Sequence, residues 1–215
     1  VELLELRLAI EDAGAERLAT LAEIARIEEI ERRGTRRAFD AWARALTEEG
    51  TAEAPRASLE RIAAATGDYA SLARVYAERI DATFDASLQR SLALRLADLR
   101  VRQLRDLGRA ADYLRQALSL PGDEAEALAA LERVLRAQDT DAAHAELAET
   151  LAREAEVAAD PAAQAEFLAA LGELRLRTLA DAEGALAAFR EALEREPGHG
   201  GARGALLELL ERAET

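Results

Sequence analysis

Each of the two histidines in this chain follows an acidic residue by three positions, a spacing that occurs in metal-binding helices. Asp141 precedes His144, and Glu196 precedes His199. On one helix such a pair shares a face and forms half of a di-iron carboxylate site. However, the Pro-Gly pair at 197–198 interrupts the second spacing. Asp141 lies at a predicted helix start, where an acidic residue stabilises the helix dipole. We therefore predict no metal and no cofactor.

The glycine-rich segment GHGGARG at 198–204 resembles a dinucleotide-binding loop only in composition. A G-x-G-x-x-G pattern that begins at Gly198 requires glycine at position 203, where Arg203 stands. The mechanism also requires a strand before the loop, whereas the periodicity here predicts a helix. Cysteine and lysine are absent from the chain, so it offers neither a thiolate nor a lysine nucleophile. The sequence therefore predicts that the protein is not an enzyme.

The most concentrated positive charge is the run of four arginines within 32–37. Glu28 and Glu29 lie four residues before Arg32 and Arg33. At this spacing the side chains form intrahelical ion pairs, each of which stabilises the helix by about 0.2–0.5 kcal/mol. Local pairing is the simpler interpretation. A docking spot for an acidic partner segment is the alternative.

The composition restricts the classes of partner. The net charge is −14 and the isoelectric point is about 4.7. Nucleic acids and anionic membranes both bind basic surfaces, so we expect neither as a partner. No apolar run approaches the roughly 20 residues that span a bilayer, so we expect no membrane insertion.

The first residue and the choice of basic residues indicate the origin of the protein and its location in the cell. The chain begins at Val1 without a basic and apolar signal segment, so we expect a processed product or a fragment of a longer protein. All 28 basic residues are arginine and asparagine is absent, which indicates a GC-rich bacterial genome. We favour a cytoplasmic location. An exported protein whose signal has been removed is the alternative.

A nine-residue segment occurs three times in this chain. It reads AFDAWARAL at 38–46, AADYLRQAL at 110–118 and ALAAFREAL at 185–193, at spacings of 72 and 75 residues. Each copy begins with alanine, has a large apolar residue four positions later and ends in Ala-Leu. Such repeats indicate an array in which each unit buries its apolar face against the next.

The apolar residues recur at helical spacing along the whole chain, and glycine and proline mark the ends of the segments. The predicted helices are 2–12, 15–32, 35–49, 55–66, 68–82, 85–106, 108–119, 123–137, 140–158, 161–180, 181–195 and 200–213. Their short connections require neighbouring helices to pack antiparallel. One period holds four helices, so the underlying unit is a helical hairpin of about 36 residues.

One hairpin carries the residues of a known repeat. In chain order they are Leu171, Gly172, Ala185, Phe189, Ala192 and Pro197. This pattern resembles the tetratricopeptide repeat, which has Leu-Gly in its first helix, Ala-x-x-x-Phe in its second and a closing proline. The resemblance implies an all-α fold in which antiparallel helical hairpins stack into a right-handed superhelical array, an α-solenoid. It also implies that the first helix of each hairpin, helix A, lines the concave side.

We expect a single tetratricopeptide-like array over residues 1–215. The predicted four-helix supra-repeats are approximately 15–83, 85–159 and 161–215, with 1–12 the remnant of a preceding hairpin. The last supra-repeat is incomplete, because helix 200–213 lacks the partner helix that follows its counterparts. Four leucines would then lack part of their cover: Leu206, Leu207, Leu209 and Leu210. We therefore expect self-association through the C-terminal helix.

The resemblance implies a binding groove along the helix-A faces. Carried over to this sequence, the groove-lining residues are Glu16, Glu23, Arg26, Arg61, Ser91, Asp98, Arg102, Arg133, Glu166, Glu173 and Arg177. The alternative is a solvated face that is stabilised by Asp98–Arg102 and Glu173–Arg177 pairs at i,i+4.

The sequence therefore favours a protein–protein interaction scaffold that binds a partner peptide or domain along the concave face. An architectural spacer or oligomerisation segment of a larger protein, with no groove ligand, is the first alternative. A helix-bundle metalloenzyme is the remote alternative. Neither the identity of the partner nor the biological process can be inferred from these residues.

Overall fold

The computed structural model describes residues 1–12, 14–31 and 34–213, with side chains up to residue 211. Within these ranges the regular structure is helical and no strand forms, which confirms the predicted all-α fold. The α-helices are α1 (Glu2–Leu8), α2 (Ala15–Ile30), α3 (Thr35–Glu48), α4 (Glu53–Thr66), α5 (Tyr69–Ala82), α6 (Ala86–Leu99), α7 (Leu107–Ser119), α8 (Ala125–Gln138), α9 (Asp141–Val157), α10 (Pro161–Arg177), α11 (Ala182–Arg195) and α12 (Gly200–Ala213). A π-helical turn at Arg100–Leu104 continues α6.

The chain divides into two compact units. Unit 1 is Val1–Arg105, which contains α1 to α6 and the π-helical turn, and unit 2 is Asp106–Thr215, which contains α7 to α12. Within each unit, consecutive helices pack against each other as antiparallel hairpins. The grouping into three four-helix supra-repeats of one array remains a prediction.

The core of unit 1 includes the α2–α3 hairpin. Trp42 of α3 and Leu21 of α2 are at most 3% exposed. The first and eighth positions of the repeated segment, Ala38 and Ala45, have no exposed surface. Their small side chains let the two helices approach closely, so that the core is filled without voids.

The core of unit 2 includes the α10–α11 hairpin, where the tetratricopeptide-like residues lie. Phe189 is 1% exposed and belongs to an apolar cluster with Ala185 and Leu168. Gly172 of α10 faces the Phe189 ring, and a Cβ added at Gly172 would lie 2.6 Å from the ring carbon Cε1. The glycine of the Leu-Gly pair is therefore required by the close approach of α10 and α11.

The connections before α6 and α10 have the same hydrogen bonds, 75 residues apart. Gln89 Nε2 donates to the backbone oxygen of Thr83 over 2.8 Å, and Gln164 Nε2 donates to that of Ala158 over 2.7 Å. Each glutamine lies four residues after the aspartate that caps the helix. The sequence repeat is thus also a repeat of local structure.

The predicted helices 85–106 and 161–180 end earlier than expected and by the same means. Arg105 and Ala180 both adopt the left-handed backbone conformation, with φ of 54° and 52°. The aspartate after each of them accepts a hydrogen bond from a backbone N–H of the next helix. Neither left-handed residue is glycine, so the sequence carried no sign of these ends. The predicted helix 2–12 is also shorter, since α1 ends at Leu8.

The four C-terminal leucines divide into two pairs. Leu206 and Leu209 are partly buried against the apolar cluster of unit 2. Leu207 and Leu210 are 55% and 43% exposed. The predicted lack of cover therefore applies to two of the four side chains.

Among the described residues, no helix combines the length and the apolar character that a transmembrane segment needs.

Candidate functional site

The residues predicted to line a groove are all exposed. They lie on α2, α4, α6 with its π-helical continuation, α8 and α10, the first helices of the predicted hairpins. In chain order they are Glu16, Glu23, Arg26, Arg61, Ser91, Asp98, Arg102, Arg133, Glu166, Glu173 and Arg177. Their exposure makes them available to a partner, and we refer to this set as the helix-A stripe.

In unit 1 an ion pair connects the stripe residue Arg61 of α4 to α2. Arg61 donates two hydrogen bonds to the carboxylate of Glu29, the longer of which is 2.8 Å from Nη2 to Oε2. The bonds from the guanidinium hold the pKa of Glu29 below its usual value. A fork-to-carboxylate contact fixes orientation as well as distance. It therefore connects α2 and α4 at the surface of unit 1.

A second ion pair connects α4 to α6. Arg95 Nη1 lies 3.5 Å from Oε1 of Glu60, and the hydroxyl of Tyr76 donates to the same oxygen over 2.6 Å. Tyr76 is 1% exposed, and its burial raises the pKa of the phenol. Glu60 thus links α4, α5 and α6. Together with the Arg61 contact, it places three stripe helices of unit 1 next to one another.

Of the two i,i+4 pairs predicted within the stripe, one forms in the part of the chain that the structure describes. Arg102 Nε lies 2.7 Å from Oδ1 of Asp98, as predicted. In the described part of the chain Glu173 and Arg177 form no such pair. Arg133 instead donates to the backbone oxygen of Ala129 in its own helix. The stripe is therefore only partly neutralised by local contacts.

In unit 2 the stripe residue Glu166 contacts His199. His199 Nε2 lies 3.5 Å from Glu166 Oε1, while its Nδ1 accepts a hydrogen bond from the backbone N–H of Ala202 over 3.0 Å. The imidazole thus caps the first turn of α12, and only its Nε2 can carry the proton in that arrangement. Glu196, the acid three residues before this histidine, contacts it only through the backbone.

The other histidine also contacts an acid other than the one three residues before it. His144 Nε2 lies 3.0 Å from Oδ1 of Asp139, and Asp141 lies in the first turn of α9. Across residues 1–12, 14–31 and 34–213, no three His, Asp or Glu residues come together in a way that could hold a metal ion.

The basic run lies partly outside the described residues. Arg32 and Arg33, with their predicted pairs, belong to the part that the structure does not describe. Arg36 contacts Asp40 of its own helix at 3.3 Å and Asp68 at 3.5 Å. For this arginine local pairing is therefore observed.

The sequence reasoning missed an apolar residue on the stripe. Ile30, at the end of α2, is 75% exposed and lies one helical turn after Arg26. A single exposed apolar side chain is common on protein surfaces, so Ile30 adds apolar area to the stripe but is not by itself a sign of a partner. Only its exposure distinguishes Ile30 from the buried Ile24 of the same helix.

The comparisons with known proteins give structural neighbours only. No protein-family model matches the chain, and no curated protein matches it. YrrB, a tetratricopeptide protein with an unusual peptide-binding site, is 18% identical, with 94% of this chain and 96% of that chain covered and a TM-score of 0.47. The C-terminal part of a tetratricopeptide protein from Cytophaga hutchinsonii is 16% identical, at 95% and 79% coverage and a TM-score of 0.47. TTC0263 from Thermus thermophilus, also a tetratricopeptide protein, is 18% identical, at 90% and 98% coverage and a TM-score of 0.36.

The class of protein follows from the chain itself. Antiparallel hairpins, capped connections that repeat at 75 residues and the contact between Gly172 and Phe189 define an all-α helical-repeat protein, which resembles tetratricopeptide-repeat proteins.

Proposed function

We propose that this chain is a protein–protein interaction scaffold that binds a partner peptide or domain along the helix-A stripe, the concave face of a tetratricopeptide-like array. One observation carries the proposal: all eleven stripe residues are exposed. In unit 1, the surface ion pairs Glu29–Arg61 and Glu60–Arg95 connect three stripe helices. The proposal assigns no catalytic step to the chain.

The stripe offers both charged and apolar contacts. Exposed Glu23 and Arg26 lie close to exposed Ile30 on α2. Charged groups give orientation and specificity, and a partly exposed apolar residue gives contact area. With a net charge of −14, the protein favours neutral or basic protein partners over nucleic acids and anionic membranes.

An oligomerisation segment is the second candidate, because Leu207 and Leu210 of α12 are exposed. Burying such leucines between chains would stabilise self-association. In that case the purified chain would capture its own copies or its parent protein, and the stripe would be irrelevant to capture.

The test compares two double variants in quantitative affinity enrichment with the whole chain as bait. Asp98→Ala with Arg102→Ala removes an exposed i,i+4 pair from the stripe. Arg74→Ala with Glu78→Ala removes a matched exposed pair from α5, outside the stripe. We expect partners of the wild-type chain to be lost with the first variant and retained with the second.

Two outcomes contradict the proposal. One is equal recovery of the partners by both variants. The other is enrichment of the bait itself or its parent alone, which would favour the oligomerisation segment.

A further inference from the structure

Unit 2 contains a cleft that the proposed function does not use. It lies between α9 and α11, above α10, and has a volume of about 190 Å³. Its floor includes Leu168 and Leu171 of α10. For comparison, an engineered apolar cavity of roughly 150 Å³ takes up benzene. The cleft is therefore large enough for one large apolar side chain.

Small residues on both walls keep the cleft open. Ala152 and Ala155 of α9 face Ala187 and Ala188 of α11 across it. Alanine side chains are too short to meet over the intervening helix. The space is thus a consequence of the residue types at these positions.

The corresponding place in unit 1 is bridged by an ion pair. There α1 and α3 flank α2, and Arg44 of α3 donates two hydrogen bonds to the Glu5 carboxylate of α1, at 2.8 and 3.1 Å. In the repeated segment, Glu191 occupies the position of Arg44. Glu191 cannot form the same bridge to α9, because the charged cleft residue of that helix is Glu156. The substitution of acid for arginine leaves the unit 2 cleft unbridged.

The rim of the cleft carries two arginines and two glutamates. Arg195 Nη2 pairs with Glu191 at 3.1 Å, and Arg175 Nε lies 3.8 Å from Oδ2 of Asp181. Glu156 is exposed and interacts with the charge of Arg153 on its own helix, but it forms no ion pair or hydrogen bond with the described residues. An exposed carboxylate beside an apolar cleft is suited to a ligand with a cationic group next to an apolar one.

The charge of unit 2 favours the same kind of ligand. Residues 106–215 include 23 acidic residues and 11 arginines, whereas residues 1–105 include 19 and 17. Unit 2 therefore carries −12 of the net charge of −14. The negative electrostatic potential of unit 2 raises the local concentration of basic peptide segments and increases their association rate.

We propose that this cleft binds one large apolar side chain of a basic partner peptide, with Glu156 pairing with a neighbouring Arg or Lys of that peptide. The site is separate from the helix-A stripe. At about 100° per residue, the cleft residues Leu171 and Arg175 lie on the opposite side of α10 from Glu173 and Arg177. Either site can therefore fail its test while the other passes.

The probe is a fluorescein-labelled pentapeptide with Phe between two pairs of arginines, and its partner has Ala in place of Phe. Binding to the whole chain is measured by fluorescence anisotropy. We expect the Phe peptide to bind at least tenfold more tightly than the Ala peptide. Equal affinities, or no binding of the Phe peptide, would overturn the proposal.

Two variants with matched controls locate the binding. Ala187→Leu, at an exposed position of the wall, should fill the cleft and weaken binding of the Phe peptide at least tenfold, whereas Ala129→Leu on α8 should not. Glu156→Gln should weaken it severalfold, whereas Glu149→Gln, an exposed acid of the same helix outside the cleft, should not. Equal effects of the cleft variants and their controls would show attraction to the acidic unit alone, and the site would be rejected.

Discussion

Gly172→Ala should destabilise unit 2, although alanine is the better helix former. The new Cβ would lie 2.6 Å from Phe189 Cε1 and 2.8 Å from two further ring carbons. Phe189 is 1% exposed, so its ring is enclosed by the core of unit 2. Overpacking costs about 1–3 kcal/mol, and exchange of glycine for alanine in a helix returns about 0.5–1 kcal/mol. Since the contact is far inside van der Waals distance, we expect a net loss of about 2 kcal/mol.

Gly204→Ala is the matched control. Gly204 lies inside α12, and a Cβ added there would meet no atom within 4 Å. This substitution therefore keeps the gain in helix propensity without the clash, and it should stabilise the protein by about 0.5–1 kcal/mol.

Urea denaturation followed by far-ultraviolet circular dichroism measures both changes. The midpoint should fall for Gly172→Ala and rise slightly for Gly204→Ala, with the slope of each transition unchanged. The reasoning is refuted if the two substitutions shift the midpoint in the same direction. That result would show that α10 and α11 do not approach each other at Gly172.

Three further substitutions test individual contacts. Burial and the nearby charge of Glu132 raise the pKa of Glu154 to about 7 from its ordinary 4.5. The native state therefore keeps a proton that the unfolded chain loses near pH 4.5, so the stability that Glu154 contributes at pH 4.5 is lost as the pH rises to 7. Urea melts of wild type and Glu154→Gln should differ in this pH dependence, and parallel profiles of the two proteins would contradict the raised pKa. Ala185→Leu should lower the free energy of unfolding by about 1–3 kcal/mol, because Ala185 has no exposed surface; a neutral result in the same melts would place it off the helix contact. Arg61→Ala should change that free energy by less than about 1 kcal/mol, since its pair with Glu29 is partly exposed, and a larger loss would assign the pair a structural role.

Much of the fold was predictable because it depends on local patterns. Helical spacing of apolar residues, with glycine and proline at the ends, located the hairpins to within a few residues at most ends. The ends at Arg105 and Ala180 were not predictable. Any non-glycine residue resists the left-handed conformation, and only the packing of the following helix makes it favourable there.

The candidate site was predictable to a smaller extent. The exposure of the stripe followed from its polar residues, and so did the Asp98–Arg102 pair within one helix. The partner of Arg61 could not be predicted from the sequence, because Glu29 lies on another helix and several acidic residues are candidates. Contacts such as Glu29–Arg61 depend on how neighbouring helices are placed. The cleft of unit 2 depends on three helices at once, and a pattern within one helix cannot reveal it.

The central claim is that the helix-A stripe binds the partner protein. Hydrogen exchange of the whole chain, measured with and without a partner recovered by the wild-type bait, tests this claim most directly. We expect the partner to slow exchange in α2, α4 and α6, the helices that present Arg26, Arg61 and Asp98. Exchange in α3 and α5, which carry no stripe residue, should change less. Protection confined to α3 and α5, or to the C-terminal helix α12, would contradict the assignment of the binding surface.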